Sequence, residues 1–261
     1  MLPGGGLSTR IVVISDTQLP YEDRKAVKAV IRAVGDIQPD EVIQIGDLVD
    51  FPQPSRWSKG TAAEFEGSVY KDCEYAKRSF LEPLRAVFDG PLKVHEGNHD
   101  ERARVYLAKY APALSGTDAY NMENLLDFNG FGVELLPEFH QVAPGWITTH
   151  GHRGGIRLSQ VGGQTALNAA KKFGKSVVMG HTHRLGIGYH TLGVGGQVSQ
   201  TLTGVEVGNL MDMRKAGYLK GGTGQWQQGF AVLTVDTTHV HADTIPITQG
   251  KFIVDGYTWK V

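Results

Sequence analysis

The sequence predicts an α/β fold with two β-sheets in one domain, and three observations carry that prediction. Short apolar, β-branched runs recur with helical patterns between them, as at residues 10–15 (RIVVIS), 41–45 (EVIQI) and 92–95. The last third changes character, to strands separated by short turns, which suggests an antiparallel or mixed sheet. At 261 residues the chain suits a single domain over residues 1–261 with a sizeable buried core.

Each element has a local reason. After the first strand, Val27, Val30, Ile31 and Val34 recur at helical spacing, and Asp23 stands where an N-cap is needed. A strand, a helix and a strand at this spacing make a βαβ unit, so the first two strands should be parallel. Thr61-x-x-Glu64 reads as a capping box opening a long helix to about Val87, kinked or ended locally at Pro83. Residues 101–110 read as a helix and 121–126 as a short one. Residues 145–149 and 175–179 are further apolar runs, with a helix over 164–173 between them. The glycine-rich stretch 191–224 yields no element. Residues 230–236, 240–247 and 252–259 read as strands.

Composition removes several functional classes. Twenty-six basic and 27 acidic side chains leave a formal charge of −1, so broad electrostatic capture of nucleic acid is not expected, although a local basic rim can exist. Cys73 is the single cysteine, which excludes an internal disulfide framework, a zinc finger or an iron–sulfur cluster and fits a reducing, cytoplasmic setting. No run approaches the ~18 apolar residues of a membrane span, so no membrane partner is expected, and residues 1–9 lack the pattern of a signal peptide.

The chemistry gathers where apolar strands end. The five exits carry Ser15-Asp16-Thr17-Gln18, Gly46-Asp47, Gly97-Asn98-His99-Asp100, His150-Gly151-His152 and Gly180-His181-Thr182-His183. Each alone has an ordinary reading as a loop cap, a turn pair or a solvated histidine. Together they should converge, because the carboxyl ends of parallel strands lie along one edge where ligands bind. Asp16, Asp47, Asn98, His150, His181 and His183 make six donors, and Gln18 can add a seventh. That is too many for one catalytic ion and suits two ions about 3.5–4 Å apart, with Asp47 as the natural bridging carboxylate. Carboxylate, amide and imidazole donors without thiolate suit Mn²⁺, Fe²⁺, Zn²⁺ or Ni²⁺ better than Mg²⁺ alone, and Mn²⁺ is the ion expected.

In this order the motifs D-x-Q, G-D, G-N-H-D, H and G-H-x-H resemble the calcineurin-like metallophosphoesterase superfamily across roughly residues 10–190. The resemblance implies a four-layer fold, a two-sheet β-sandwich flanked by helices, with two metal ions at the sheet edges. It implies Asp16, Asp47 and His183 on one ion, and Asp47, Asn98, His150 and His181 on the other, with His152 the alternative to His150. It further implies that His99 contacts the phosphate and assists the leaving group, oriented by Asp100. Gln18 departs from the pattern, which usually has histidine there. An amide oxygen can ligate but is a weaker donor than imidazole and cannot act as an acid.

The function expected on this basis is dinuclear metal-dependent hydrolysis of phosphate esters, with phosphodiesters or nucleotides favoured, by attack of a metal-bound hydroxide. The alternatives are a DNA-end nuclease that would normally bring an ATPase partner, and a metal-stabilised scaffold that binds partners without catalysis. Arg102, Arg153 and Arg184 each follow a ligand motif and could rim the site for phosphate, or be solvated loop charges. Trp57, beside Arg56 and Lys59, and Tyr218 and Trp226, near Arg214, Lys215 and Lys220, could stack a nucleobase or simply pack locally.

Overall fold

A computed structural model of the protein describes residues 8–237 and 239–261. The N-terminal stretch discussed above lies outside these as far as Leu7, as does the side chain of Tyr218. In β1 (Thr9–Ile14) successive side chains alternate: Val12 and Ile14 face a helical layer, while Ile11 and Val13 enter the core between the two sheets. Asp23 caps α1 (Arg24–Ile37), its carboxylate accepting from the amides of Lys25 and Ala26 at 3.0 and 3.2 Å. β2 (Glu41–Gln44) then runs parallel to β1, as the βαβ spacing requires.

The predicted capping box at Thr61 is a correction. Thr61 makes no capping bond, and residues Ala62–Glu64 form one 3₁₀ turn. Glu64 is held instead by Lys59 at 2.7 Å and by the Tyr106 hydroxyl. The helix starts later, as α2 (Val69–Ala76), widens into a π turn at Lys77–Leu81 and ends as α3 (Glu82–Arg85). The π turn ends at Leu81, so Pro83 falls in the first turn of α3, where a residue with no N–H to give is tolerated.

The chain continues through β3 (Leu92–His95), α4 (Arg102–Tyr110), α5 (Met122–Leu125) and α6 (Phe128–Phe131). Then follow β4 (Val133–Leu136), β5 (His140–Ala143), β6 (Trp146–Thr149), α7 (Gln164–Phe173) and β7 (Ser176–Met179). The stretch without an assigned element begins with much of a long hairpin, β8 (Leu185–Val194) and β9 (Gln197–Val207). β10 (Gly229–Val235) and β11 (Val240–Pro246) follow. The single strand expected over 252–259 is instead a hairpin, β12 (Lys251–Val254) and β13 (Tyr257–Lys260), turning at Asp255-Gly256.

The first sheet has the order β11-β10-β1-β2-β3-β4, and the second β5-β6-β7-β9-β8. β1 to β4 run parallel, as do β6, β7 and β9. Ile43 and Ile45 from the first sheet meet Val178, Val205 and Val207 from the second in one shared core. α1 to α3 cover the outside of the first sheet, and α7 covers the second through Ala166, Ala169 and Ala170. This is the expected four-layer arrangement of helices, sheet, sheet and helix. It brings the carboxyl ends of β1, β2 and β3 toward those of β6 and β7.

Candidate active site

All five strand exits meet. Two groups of donors each have ligand atoms within 4.8 Å of one another: Asp47 with His150 and His181, and Asp16 with Asp47 and His183. Asp47 belongs to both groups and is 1% exposed. The backbone makes this possible only by strained or close approach. Asp16, Asp47, His181 and His183 all adopt left-handed conformations, with φ of 47°, 52°, 69° and 59°. At Gly97 a Cβ would fall on the Asp47 carboxylate and amide, and at Gly180 on the side chains of Ser15 and Asp16.

The hydrogen bonds orient the donors inward. His150 Nδ1 donates to the Ile45 carbonyl at 2.9 Å, which turns Nε2 toward Asp47 Oδ1 at 3.4 Å and Asn98 Oδ1 at 3.3 Å. His183 Nε2 lies 3.1 Å from Asp16 Oδ1. Gln18 is fully buried between the two: its Nε2 donates to Asp47 Oδ2 at 3.1 Å and lies 3.4 Å from His183 Nε2, while its Oε1 accepts no hydrogen bond. His152 belongs to neither group: its ring packs 5.3 Å from that of His150 and its Nε2 accepts from Arg153 at 2.9 Å, so the geometry favours His150 as the inward imidazole.

Two observations show that these residues suit divalent cations. Gln18 Oε1 and His181 Nδ1 are buried and make no hydrogen bond, and Asp16 Oδ1 meets only His183 Nε2, which is costly for polar atoms within a protein. The electrostatics also call for positive charge. Burial opposes a charge on His150, yet the Asp47 and Asp16 carboxylates push its pKa up to about 10. Burial would likewise raise Asp47, but His150 and His99 hold it well below the usual carboxylate range. Burial and the neighbouring His150 push His181 down to about 4, so its imidazole is neutral and free to ligate.

His99 lies beside this cluster, with its amide donating to Asp47 Oδ1 at 2.8 Å. The expected partnership with Asp100 is corrected by the structure. Asp100 is fully buried and turns inward, accepting from the amides of Val49 at 2.9 Å, Gly97 at 2.8 Å and Leu48 at 3.3 Å. The carboxylate that holds His99 is that of Asp50, 2.6 Å from Nδ1. Against the opposing effect of burial, Asp47 and Asp50 raise the His99 pKa, favouring imidazolium. Sequence reasoning missed Asp50; its one signal was a second acidic residue three positions after Asp47.

The arginine rim is reduced to one member. Arg102 donates to the Asp50 carbonyl at 2.6 Å and its Nη2 lies 3.1 Å from His99 Nε2, at the mouth of the site. Arg153 is committed to Glu101 at 2.5 Å and Glu138 at 3.5 Å, and Arg184 donates to Gln160 at 2.7 Å. Of the aromatics, Trp226 packs on the His183 ring, centroids 4.4 Å apart. Arg214 pairs with Asp212 at 2.8 Å, and Lys215 donates to the Glu22 carbonyl at 3.0 Å. A further residue unread in the sequence is Glu206, buried on β9, which accepts from the Thr182 hydroxyl between His181 and His183.

Residues 9–185, which span all five exits, match the calcineurin-like phosphoesterase family. The chain belongs to that family. Metal-dependent phosphoesterase is therefore its general functional class. Over 256 residues it is 59% identical to the Gene 54 proteins of Mycobacterium phages D29 and L5, covering 98% of this chain and 100% of each relative. Among solved structures, the chain is similar to vacuolar protein sorting 29 from Cryptosporidium parvum, at 13% identity and a TM-score of 0.49, covering 98% of this chain and 100% of that one. Chaetomium thermophilum Vps29 is similar at 12% identity and a TM-score of 0.47, covering 98% of each chain. Among the described residues, no helix of this calcineurin-like phosphoesterase is long and apolar enough to cross a membrane.

Proposed function

We propose that the protein hydrolyses phosphodiesters with a pair of divalent ions, Mn²⁺ by preference. The observation that carries this reading is the pair of largely buried donor groups that share Asp47, with ligand atoms in each group within 4.8 Å of one another. Asp16, Asp47, His183 and Gln18 would hold one ion, and Asp47, Asn98, His150 and His181 the other. Bound there, the ions would supply Lewis acidity for the phosphoryl oxygens and lower the pKa of the attacking water.

The protein's own groups do the rest. Asp50 fixes His99 through Nδ1, leaving Nε2 toward Asp47 and Arg102, 3.8 and 3.1 Å away. A protonated His99 can then donate to the departing oxygen. Arg102, anchored on Asp50, offers its guanidinium to the phosphate. Asp100 ties the exit of β2 to the exit of β3 and so preserves the spacing between Asp47 and His99. β10 and β11 complete the first sheet beyond residue 185, so we treat the whole chain as one catalytic domain. A cytoplasmic setting in an infected cell fits the phage relatives and the lone buried Cys73.

The test is hydrolysis of bis-p-nitrophenyl phosphate and p-nitrophenyl phosphate by chelator-treated protein, with Mn²⁺, Fe²⁺, Zn²⁺ or Ni²⁺ restored singly. Mn²⁺-dependent diester turnover with two ions per chain is expected. No turnover and no retained metal under any of these conditions would overturn the proposal.

A further inference from the structure

A cavity of about 680 Å³ opens from Asp47, His99, His181 and His183 and extends well beyond the metal donors. One part of its lining is a face of α4, where Arg102, Tyr106, Lys109 and Tyr110 recur at helical spacing. At 1.5 Å per residue, the eight steps from Arg102 to Tyr110 run about 12 Å away from the site. Another part is the loop carrying Arg56 and Trp57, and Trp226 lies on the His183 ring.

The side chains along this cavity form an alternation of flat rings and cations. Trp57 is 73% exposed although it lines the cavity, with the Arg56 guanidinium 4.7 Å from its ring centre. Tyr106 and Tyr110 have ring centres 4.7 Å apart, and Lys59 lies 4.3 Å over Tyr110 while donating to the Tyr106 hydroxyl at 2.8 Å. Lys59 thereby fastens the Trp57 loop to α4 and holds the two tyrosine rings before any ligand arrives. The acids nearby are already engaged, Glu64 by Lys59 and Glu101 by Arg153.

Resting on the phosphodiesterase reading, we propose that this cavity is a track for single-stranded nucleic acid. The strand places one phosphodiester at the metal donors and stacks neighbouring bases on Trp57 and Tyr110, with Arg56 and Lys109 beside its backbone. Exposed rings interleaved with cations are the arrangement that binds single strands without reading sequence. Stacking of this kind needs unpaired bases, which excludes an intact duplex. A stacked strand carries one phosphate per ~3.4 Å, so a 12 Å line takes more than one nucleotide.

The test is binding of fluorescein-labelled, hydrolysis-resistant phosphorothioate thymidine oligomers of one, two, four and eight nucleotides, and of an eight-base-pair duplex, by anisotropy with Mn²⁺ present. Affinity should rise with length, with the eight-nucleotide strand at least tenfold tighter than the mononucleotide and the duplex. Trp57→Ala and Tyr110→Ala should each weaken the eight-nucleotide strand about tenfold, with Trp57→Phe keeping most of the binding. Lys109→Ala should flatten the slope of log K against log salt by about 0.7. Thermal unfolding midpoints close to wild type for these variants confirm that the losses are local. Equal affinity for mononucleotide and eight-nucleotide strand, or alanine variants that bind like wild type, would overturn the track. Turnover of bis-p-nitrophenyl phosphate without oligomer binding overturns the track alone. Length-dependent oligomer binding with no turnover of any ester overturns the phosphodiesterase reading and leaves the stacking surface standing.

Discussion

The two halves of the donor cluster share Asp47 and little else. One half has two imidazoles, His150 and His181, with ring centres 5.1 Å apart and the Asn98 amide oxygen near His150. The other has one imidazole, His183, one further carboxylate, Asp16, and a buried amide, Gln18, whose nitrogen currently faces Asp47 and His183. Rotation of that amide exchanges its nitrogen for Oε1, so Gln18 can turn from donor to ligand. Both halves are built by the same device, a tight turn after a buried strand, yet their donor chemistry differs. Similar scaffolding with unequal donors means unequal affinity, and the half with Gln18 should be the looser one.

The largest test removes what the halves have in common. Asp47→Asn should abolish turnover and reduce bound metal, because a neutral amide cannot offset repulsion between two dications. Elemental analysis showing two tightly held ions in an active Asp47→Asn protein would refute the shared carboxylate. Next is a substitution that should touch neither half: His99→Ala is expected to keep the metal content yet lower kcat by roughly 10²–10⁴. The loss should shrink on esters with good leaving groups, and Asp50→Asn should move in the same direction by a smaller factor. Metal loss in His99→Ala would make it a ligand instead.

The halves themselves can be told apart by dialysis. His150→Ala should cost about one retained ion per chain, whereas His183→Ala should change the retained content little, since its half is loosely loaded from the start. The reverse pattern would invert the comparison. The smallest effect is expected for Gln18→His, which should lower the Mn²⁺ concentration for half activity by a few fold and raise monoester relative to diester turnover. An unchanged Mn²⁺ requirement would place residue 18 away from the ion, and an unchanged substrate ratio would remove it from control of preference.

Why were the donors readable and their neighbours not? Each donor follows a short apolar run directly, and in parallel strands that position is fixed by the sheet itself. Roles that depend on how a loop folds were less accessible. Asp100 follows His99 in sequence, but its turn aims it at three backbone amides, while Asp50 reaches His99 from another loop. Thr61 and Glu64 have capping-box spacing, yet Lys59 and Tyr106 capture the glutamate. The hairpin of β8 and β9 left no pattern because its outer half is exposed on both faces, so burial imposes no alternation there.

The donors come from two sheets that the chain completes separately: Asp16, Asp47 and Asn98 leave the first, and His150, His181 and His183 the second. An ion held by both sets binds only when the sheets are docked on their shared layer of isoleucine and valine. Metal would then act as a clasp, and its free concentration would become a term in the folding equilibrium. At a hundred times the dissociation constant, one such site adds about 2.7 kcal/mol to the docked state, a large share of the ~5–15 kcal/mol that holds a typical domain together. Chelation would therefore lower the melting temperature as well as stop turnover. In a metal-poor cell, the lifetime of the protein and its activity would fall together.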